Sequence, residues 1–537
     1  MTVWKRPVER IRKLYGTLNA DGNDIENVGS LSTEDLNNAR YVFPDYSSEQ
    51  INDEIETAES EGTNVVFAPG TYELSEDTTK DLSNSAMVVV RDGVSLFGYG
   101  VKIVAQDSAN VIYADFDEDT GGSVGHDVTV AGFEIDGNKD NTTDDTASHP
   151  RGNGILFYGN QENVTVRDCE VYDTHEIGIH LDAVIGTVAL NNTVRNTDNI
   201  GMHFGYRGSG NPTGPRKSYG AFNHFENVQS VSLSFGEARQ CGFIGNTVEG
   251  SATSLGAVNV SGRDLDLTDN IVRDCAIGIE VDEQRFGQGA SERINISGGS
   301  VVNTSNIAIR LDEEESVEDI TIRDVKIEDC SYAVRAWDTD GLTTSGLMVE
   351  SSDSPAGAIQ IQDSVTDYRS EGDTVRDADS WGFIIESPSA TVSGVTVDNT
   401  GTHGLRAMAD GIRVESPTVK NTASDGIRAR GDNVVIVQPE FINIGGNDIG
   451  VFGGAADVNL ASSKNLSVNV GDGIRTRWGG VISGGVLDGI DLDTVTGQFD
   501  GDKALSKGTT GVDDYIEAVW TGSAWQPTDG GDTVTPT

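Results

Sequence analysis

The chain has 537 residues, with 86 Asp and Glu against 37 Lys and Arg, a formal net charge of −49 and a pI near 4.2. A surface this acidic repels phosphate backbones, which excludes nucleic-acid binding, and no stretch is long and apolar enough to insert in a membrane. The acid is spread along the whole chain. That pattern fits either adaptation to molar salt, where carboxylates stay hydrated and their repulsion is screened, or a surface that attracts cations.

From the N-terminus, Trp4, Val8, Ile11, Leu14 and Tyr15 recur at helical spacing, with Lys5, Arg6, Arg10, Arg12 and Lys13 among them. This predicts a basic amphipathic helix over 1–16, either an anchor for an acidic partner or a frayed terminus. No apolar run follows it, so no secretory signal peptide is expected. Residues 17–44 hold Leu18-Asn19-Ala20-Asp21-Gly22-Asn23-Asp24-Ile25-Glu26-Asn27-Val28-Gly29 and end in Tyr41-Val42. This stretch resembles the short adaptor repeat near the ends of tail fibres of tailed viruses. The resemblance implies trimerisation and attachment to a virion.

Ser47 or Ser48 is then expected to open a helix to Glu61, with Gly62 as its stop. The phrases Ala68-Pro69-Gly70-Thr71-Tyr72, Gly93-Val94-Ser95-Leu96-Phe97-Gly98 and Asp136-Gly137-Asn138 follow in order. This set resembles the first coils of the pectate-lyase-like right-handed β-helix superfamily, in which an amphipathic helix caps the first coil. Residues 45–125 are expected to form that cap and those coils. Polar stretches at 137–152 and 207–218 read as loops, the first either at the rim of a groove or as a surface insertion.

The main body, over 126–493, carries a phrase of one small residue followed by alternating apolar and polar residues. Examples are Gly178-Ile179-His180-Leu181-Asp182, Gly278-Ile279-Glu280-Val281-Asp282, Ala308-Ile309-Arg310-Leu311-Asp312 and Gly426-Ile427-Arg428-Ala429-Arg430. The spacing is 23 residues from Gly178 to Gly201, 30 from Gly278 to Ala308, and 25 from Ala308 to Ala333 and on to Ala358. Alternation with period 2 marks half-buried strands, and self-similarity at this spacing marks a solenoid. The predicted fold is all-β: a right-handed single-stranded parallel β-helix of roughly fourteen to sixteen coils, on the order of 70 Å long. Residues 494–537 read as a small cap or hairpin and a loose tail. Cys169, Cys275 and Cys330 each follow Asp at what reads as one matching corner of the coil, a small buried turn position rather than a redox or metal motif.

Stacking the phrases predicts two outward columns. One runs His180, His203, Ser232, Asn259, Glu280, Arg310, Arg335, Gln360, Arg428 and Arg475, and the other includes Asp182, Asp282, Asp312, Trp337, Arg430 and Arg477. Arg310, Arg335, Arg428, Arg430, Arg475 and Arg477, with His203 and a stacking Trp337, are candidates for binding an acidic glycan, because guanidinium groups fork onto carboxylates and sulfates. The same arginines could instead neutralise neighbouring acids. Glu280, Asp282 and Asp312 on adjacent coils are candidates for glycosidase-like carboxylate chemistry. His180 and Asp182 lie where alginate epimerases of this fold carry a Tyr/Asp/His set, but the Tyr is missing and Asp and His are exchanged. No cofactor is expected, unless the run Asp312-Glu313-Glu314-Glu315 holds Ca²⁺. The resulting expectation is a homotrimeric virion tail spike from a virus of a halophilic archaeon. It would bind a host surface polysaccharide or glycoprotein, attach to other tail or baseplate proteins through residues 1–44, and either cleave the glycan or not. The alternative is a free halophilic polysaccharide lyase, C5-epimerase or glycoside hydrolase.

Overall fold

The computed structural model describes residues 39–79, 85–116, 125–143, 151–159, 161–182, 184–205, 214–251, 255–282, 290–311, 317–354 and 356–451; beyond these it describes 458–461, 468–470, 476–478, 487–490, 503–509, 512–520, 523 and 525–527. The helix expected over 1–16 and nearly all of the adaptor over 17–44 lie outside the described residues. So do Asp312 with its acidic run, Arg475, and much of both polar loops.

Short strands rich in Val, Ile and Thr, punctuated by Gly, Asn and Asp, cannot bury an apolar face alone. Winding the chain into coils solves this, because each coil covers the next. From Thr165 to Val451 each coil places a strand in each of three parallel sheets. Thr165–Arg167 lies in the first, Glu170–Tyr172 in the second and Ile179–Asp182 in the third. Each pairs in parallel with its counterpart one coil on, in Val188–Leu190, Thr193–Arg195 and Met202–Gly205. The result is the predicted right-handed parallel β-helix, of about 15 turns.

Alternation along each strand sorts side chains as the sequence implies. Ile179 and Leu181 are fully buried, and His180 between them is not. The interior includes an aromatic stack in which the Phe235 and Phe243 rings lie 3.8 Å apart and nearly parallel, with Phe204 tilted against them.

The solenoid begins earlier than residue 45. Arg40–Val42 pairs with Val65–Phe67, so Tyr41-Val42, the close of the adaptor-like segment, also forms the first strand of the first sheet. The helix Ser48–Glu61 covers this end. Ser47 caps it through a reciprocal bond with Gln50, and Gly62 closes it in the left-handed conformation at φ 64°. Its buried face, Ile51, Ile55 and Ala58, packs on the core, and Asn52 bonds Asp77, the Met87 carbonyl and the Val89 N–H. Strand edges that would otherwise be open are thereby covered. Towards the C-terminus, Leu487–Ile490, Lys503–Thr509, Val512–Trp520 and Trp525–Pro527 form a separate sheet whose last two pairings are antiparallel.

The corners are polar inside as well as out. Between the first and second sheets, Asn192, Asn223, Asn246 and Asn270 stack, each amide donating to the next side-chain oxygen at 2.9–3.0 Å. Cys169 joins this ladder through its N–H. Cys275 and Cys330 stand elsewhere, at the end of the second sheet in a column with Thr304, Ser352 and Thr422. The single matching corner expected for these three cysteines is therefore corrected to two. All four cysteines are buried and unpaired, and burial pushes each thiol up to about 12.

Candidate functional site

The third sheet carries the outward column. Its register runs His180, His203, Ser234, Asn259, Glu280, Arg310, Arg335, Gln360, Ile384, Arg406 and Arg428. Ser234 thus replaces the expected Ser232, and Arg406 joins a series from which it was missed. Arg477 does not belong to it. That residue pairs with Asn459, which continues Val435 and Arg413 on the first sheet.

The middle of the column is internally satisfied. Glu280 is 2% exposed and accepts from the Gly256 N–H at 2.6 Å, from Asn259 Nδ2 at 3.0 Å and from Arg310. A carboxylate so enclosed holds adjacent coils together. This also makes Arg310 a structural partner rather than a free cation. Asp282 begins the turn after this strand, its N–H bonded to the Val260 carbonyl and its own carbonyl accepting from Ser291 Oγ. The proposed chemistry of Glu280, Asp282 and Asp312 thus loses its first member to a structural role.

Further along, the sheet changes character. The Arg335 guanidinium lies 4.2 Å from the Trp337 ring centroid and 4.8 Å from that of Tyr332. Arg406 lies over Trp381 at 5.0 Å, and Trp381 stacks on His403 at 4.1 Å. Neither Arg335 nor Arg406 makes an ion pair with any of the described residues, and the Nε of each is buried without a hydrogen-bond partner. Burial, with Arg428 next to it, holds the Arg406 guanidinium below its ordinary pKa. Burial also raises the Glu386 carboxyl, against a partial offset from the positive charge of Arg406. Arg430, two residues beyond Arg428 and just past the end of its strand, is exposed. Gln360, between Arg335 and Arg406 in the column, has a buried side-chain oxygen without a partner. Tyr332, Trp381, His403 and Arg406 were missed in the sequence. The phrase Gly404-Leu405-Arg406-Ala407 carries the same signal as its neighbours and would have found the last of them.

At the other end, His180 Nε2 lies 2.9 Å from Asp182 Oδ1, and His203 Nδ1 lies 3.0 Å from Ser234 Oγ. The two imidazole rings are 5.3 Å apart. A histidine bonded to a carboxylate this well buried can hold and pass a proton. A different feature lies at the corner that ends the second sheet: a cleft of about 310 Å³ lined by Asp329, Asp353, Asp377 and Asp379. Its charge is opposite to that of the arginine end.

No family model matches the chain, and no curated protein matches it. Solved structures do resemble it. The A-module of mannuronan C-5 epimerase AlgE6 from Azotobacter vinelandii aligns over 80% of this chain and 94% of its own, at 15% identity and a TM-score of 0.35. A tailspike protein of E. coli bacteriophage HK620, solved with a pentasaccharide, aligns over 76% of this chain and 77% of its own, at 11% identity and a TM-score of 0.43. ORF18 of Geobacillus virus E2 aligns over 57% and 58%, at 16% identity and a TM-score of 0.41. Scores below 0.5 at these identities say nothing about which residues act or on what. Among the described residues no helix is long and apolar enough to cross a membrane.

Proposed function

We propose that this chain is a homotrimeric virion tail spike whose third sheet, from Tyr332 to Arg430, binds an anionic glycan or glycosylated layer on the surface of a halophilic host. The observation that carries the binding reading is the pair Arg335 and Arg406. In a chain with net charge −49, these guanidiniums lie on one sheet over aromatic rings and make no ion pair with the described residues. An arginine there for neutralisation alone would sit against a carboxylate, as Arg310 does against Glu280. Sugar carboxylates or sulfates would supply the missing planar partner, and the rings of Trp337 and Trp381 hold the two guanidiniums in place to meet it. Attachment to other tail or baseplate proteins rests on the adaptor-like residues 18–42.

Reversing the charge at Arg335 or Arg406, as in Arg335→Glu and Arg406→Glu, tests this. Each variant should bind host surface polysaccharide about tenfold or more weakly, with unchanged thermal stability. Parental affinity in both variants would remove the arginine sheet from the binding site.

A further inference from the structure

We propose that His180, Asp182 and His203 form a binding site for a divalent transition-metal ion of the zinc class. The two histidines are register partners on adjacent coils, and the strand alternation that turns His180 outward turns Asp182 to the same side. One ligand atom from each of the three lies within 4.8 Å of the others.

Glycine at 205 keeps this side of the cluster free of a side chain: a Cβ there would stand 2.3 Å from Asp182 Oδ1 and 2.4 Å from His203 Nε2, inside contact distance of both. Ser234 Oγ can accept the Nδ1–H of His203, which fixes the tautomer that leaves Nε2 as a lone-pair donor. His180 Nδ1 is buried and has no hydrogen-bond partner, while Nε2 is the nitrogen that meets Asp182 Oδ1.

Donor chemistry sets the class of ion. Two imidazoles and one carboxylate suit Zn²⁺, Co²⁺ or Ni²⁺, whereas Ca²⁺ and Mg²⁺ prefer shells of oxygen. Three protein ligands leave a position for water or a ligand oxygen. The acidic surface raises the local concentration of any cation. This site stands apart from the arginine end of the sheet and does not depend on the glycan.

The test is calorimetric titration of the full chain, stripped with chelator, with Zn²⁺ alone and with Ca²⁺ alone. The expected result is a single saturable Zn²⁺ equivalent per chain and no comparable Ca²⁺ event. That equivalent should disappear in His203→Ala and in Asp182→Asn, and bind roughly tenfold more weakly in Ser234→Ala. The absence of saturable Zn²⁺ binding, or binding unchanged in His203→Ala, would overturn the proposal. Should the variants not fold, Co²⁺ added to the unaltered chain decides. Intense visible bands of a low-coordinate site support the proposal, and the pale spectrum of the hydrated ion overturns it.

Discussion

A residue's role in this solenoid depends on whether the coil above or below supplies its partner. Glu280 and Arg310 satisfy each other, while Arg335 and Arg406 rest on aromatic rings. His403 shows the cost of position in another way. Its Nδ1 accepts the Asp425 N–H at 3.0 Å, its ring stacks on Trp381, and Arg406 and Arg428 stand close. Burial, helped by those two cations and opposed by Asp425, lowers its pKa below 6.5. A histidine whose pKa is depressed on folding stabilises the fold fully above its unfolded value, and that stabilisation is lost as pH falls through the folded one. The parent should therefore lose thermal stability as the pH falls from about 7 to about 5, and His403→Gln should flatten part of that loss. Melting curves across this window check it, and an equally steep fall in both proteins would contradict it. None of this was legible in the sequence, because Trp381, His403 and Arg406 lie on two successive coils and meet only once the register is known.

At the scale of the element, the strands and the cap were readable and the register was not. Period-2 alternation identified Ile179, Leu181, Ile309 and Leu311 as interior positions, and the signals around Ser47 and Gly62 bounded the capping helix. Coil length defeated the alignment. His203 and Ser234 are neighbours separated by 31 residues, whereas Asn259 and Glu280 are neighbours separated by 21. Where a loop lengthens one coil the repeat shifts, so the sequence pattern points to Ser232 while the register places Ser234. Farther along, the same drift put Arg477 on the wrong sheet. The asparagine ladder carries an energetic prediction of its own. Asn223 Oδ1 accepts from both the backbone N–H and the side-chain amide of Asn192, and its own amide donates to the Ala189 carbonyl and to Asn246. Asn223→Leu strands these buried groups and should cost on the order of 3 kcal/mol. Asn141→Ala, which removes only an exposed side-chain bond to Asn138, should change stability by less than about 0.5 kcal/mol. Chemical denaturation of the two variants separates them, and equal effects would deny the ladder its structural role.

For the whole molecule, charge and shape act together. With 86 acidic residues and a net charge of −49, self-repulsion opposes the compact state. Salt screens that repulsion within a Debye length of roughly 10 Å at 0.1 M and roughly 3 Å at 1 M. The midpoint of thermal unfolding should therefore climb as NaCl is raised from about 0.1 to about 2 M, and a flat or falling midpoint would deny that repulsion limits stability. The fold class was legible because a solenoid repeats its own instruction in every coil. The ligand was not, because a surface ladder of arginines reads the same in sequence whether its partners come from the protein or from outside.

The measurement that bears most directly on the ligand is a binding isotherm for the full chain against a polyuronate and against the same polymer with its carboxylates esterified. The arginine sheet predicts binding to the charged polymer that weakens by about tenfold or more on esterification. Equal affinity for the two forms would contradict recognition through Arg335 and Arg406.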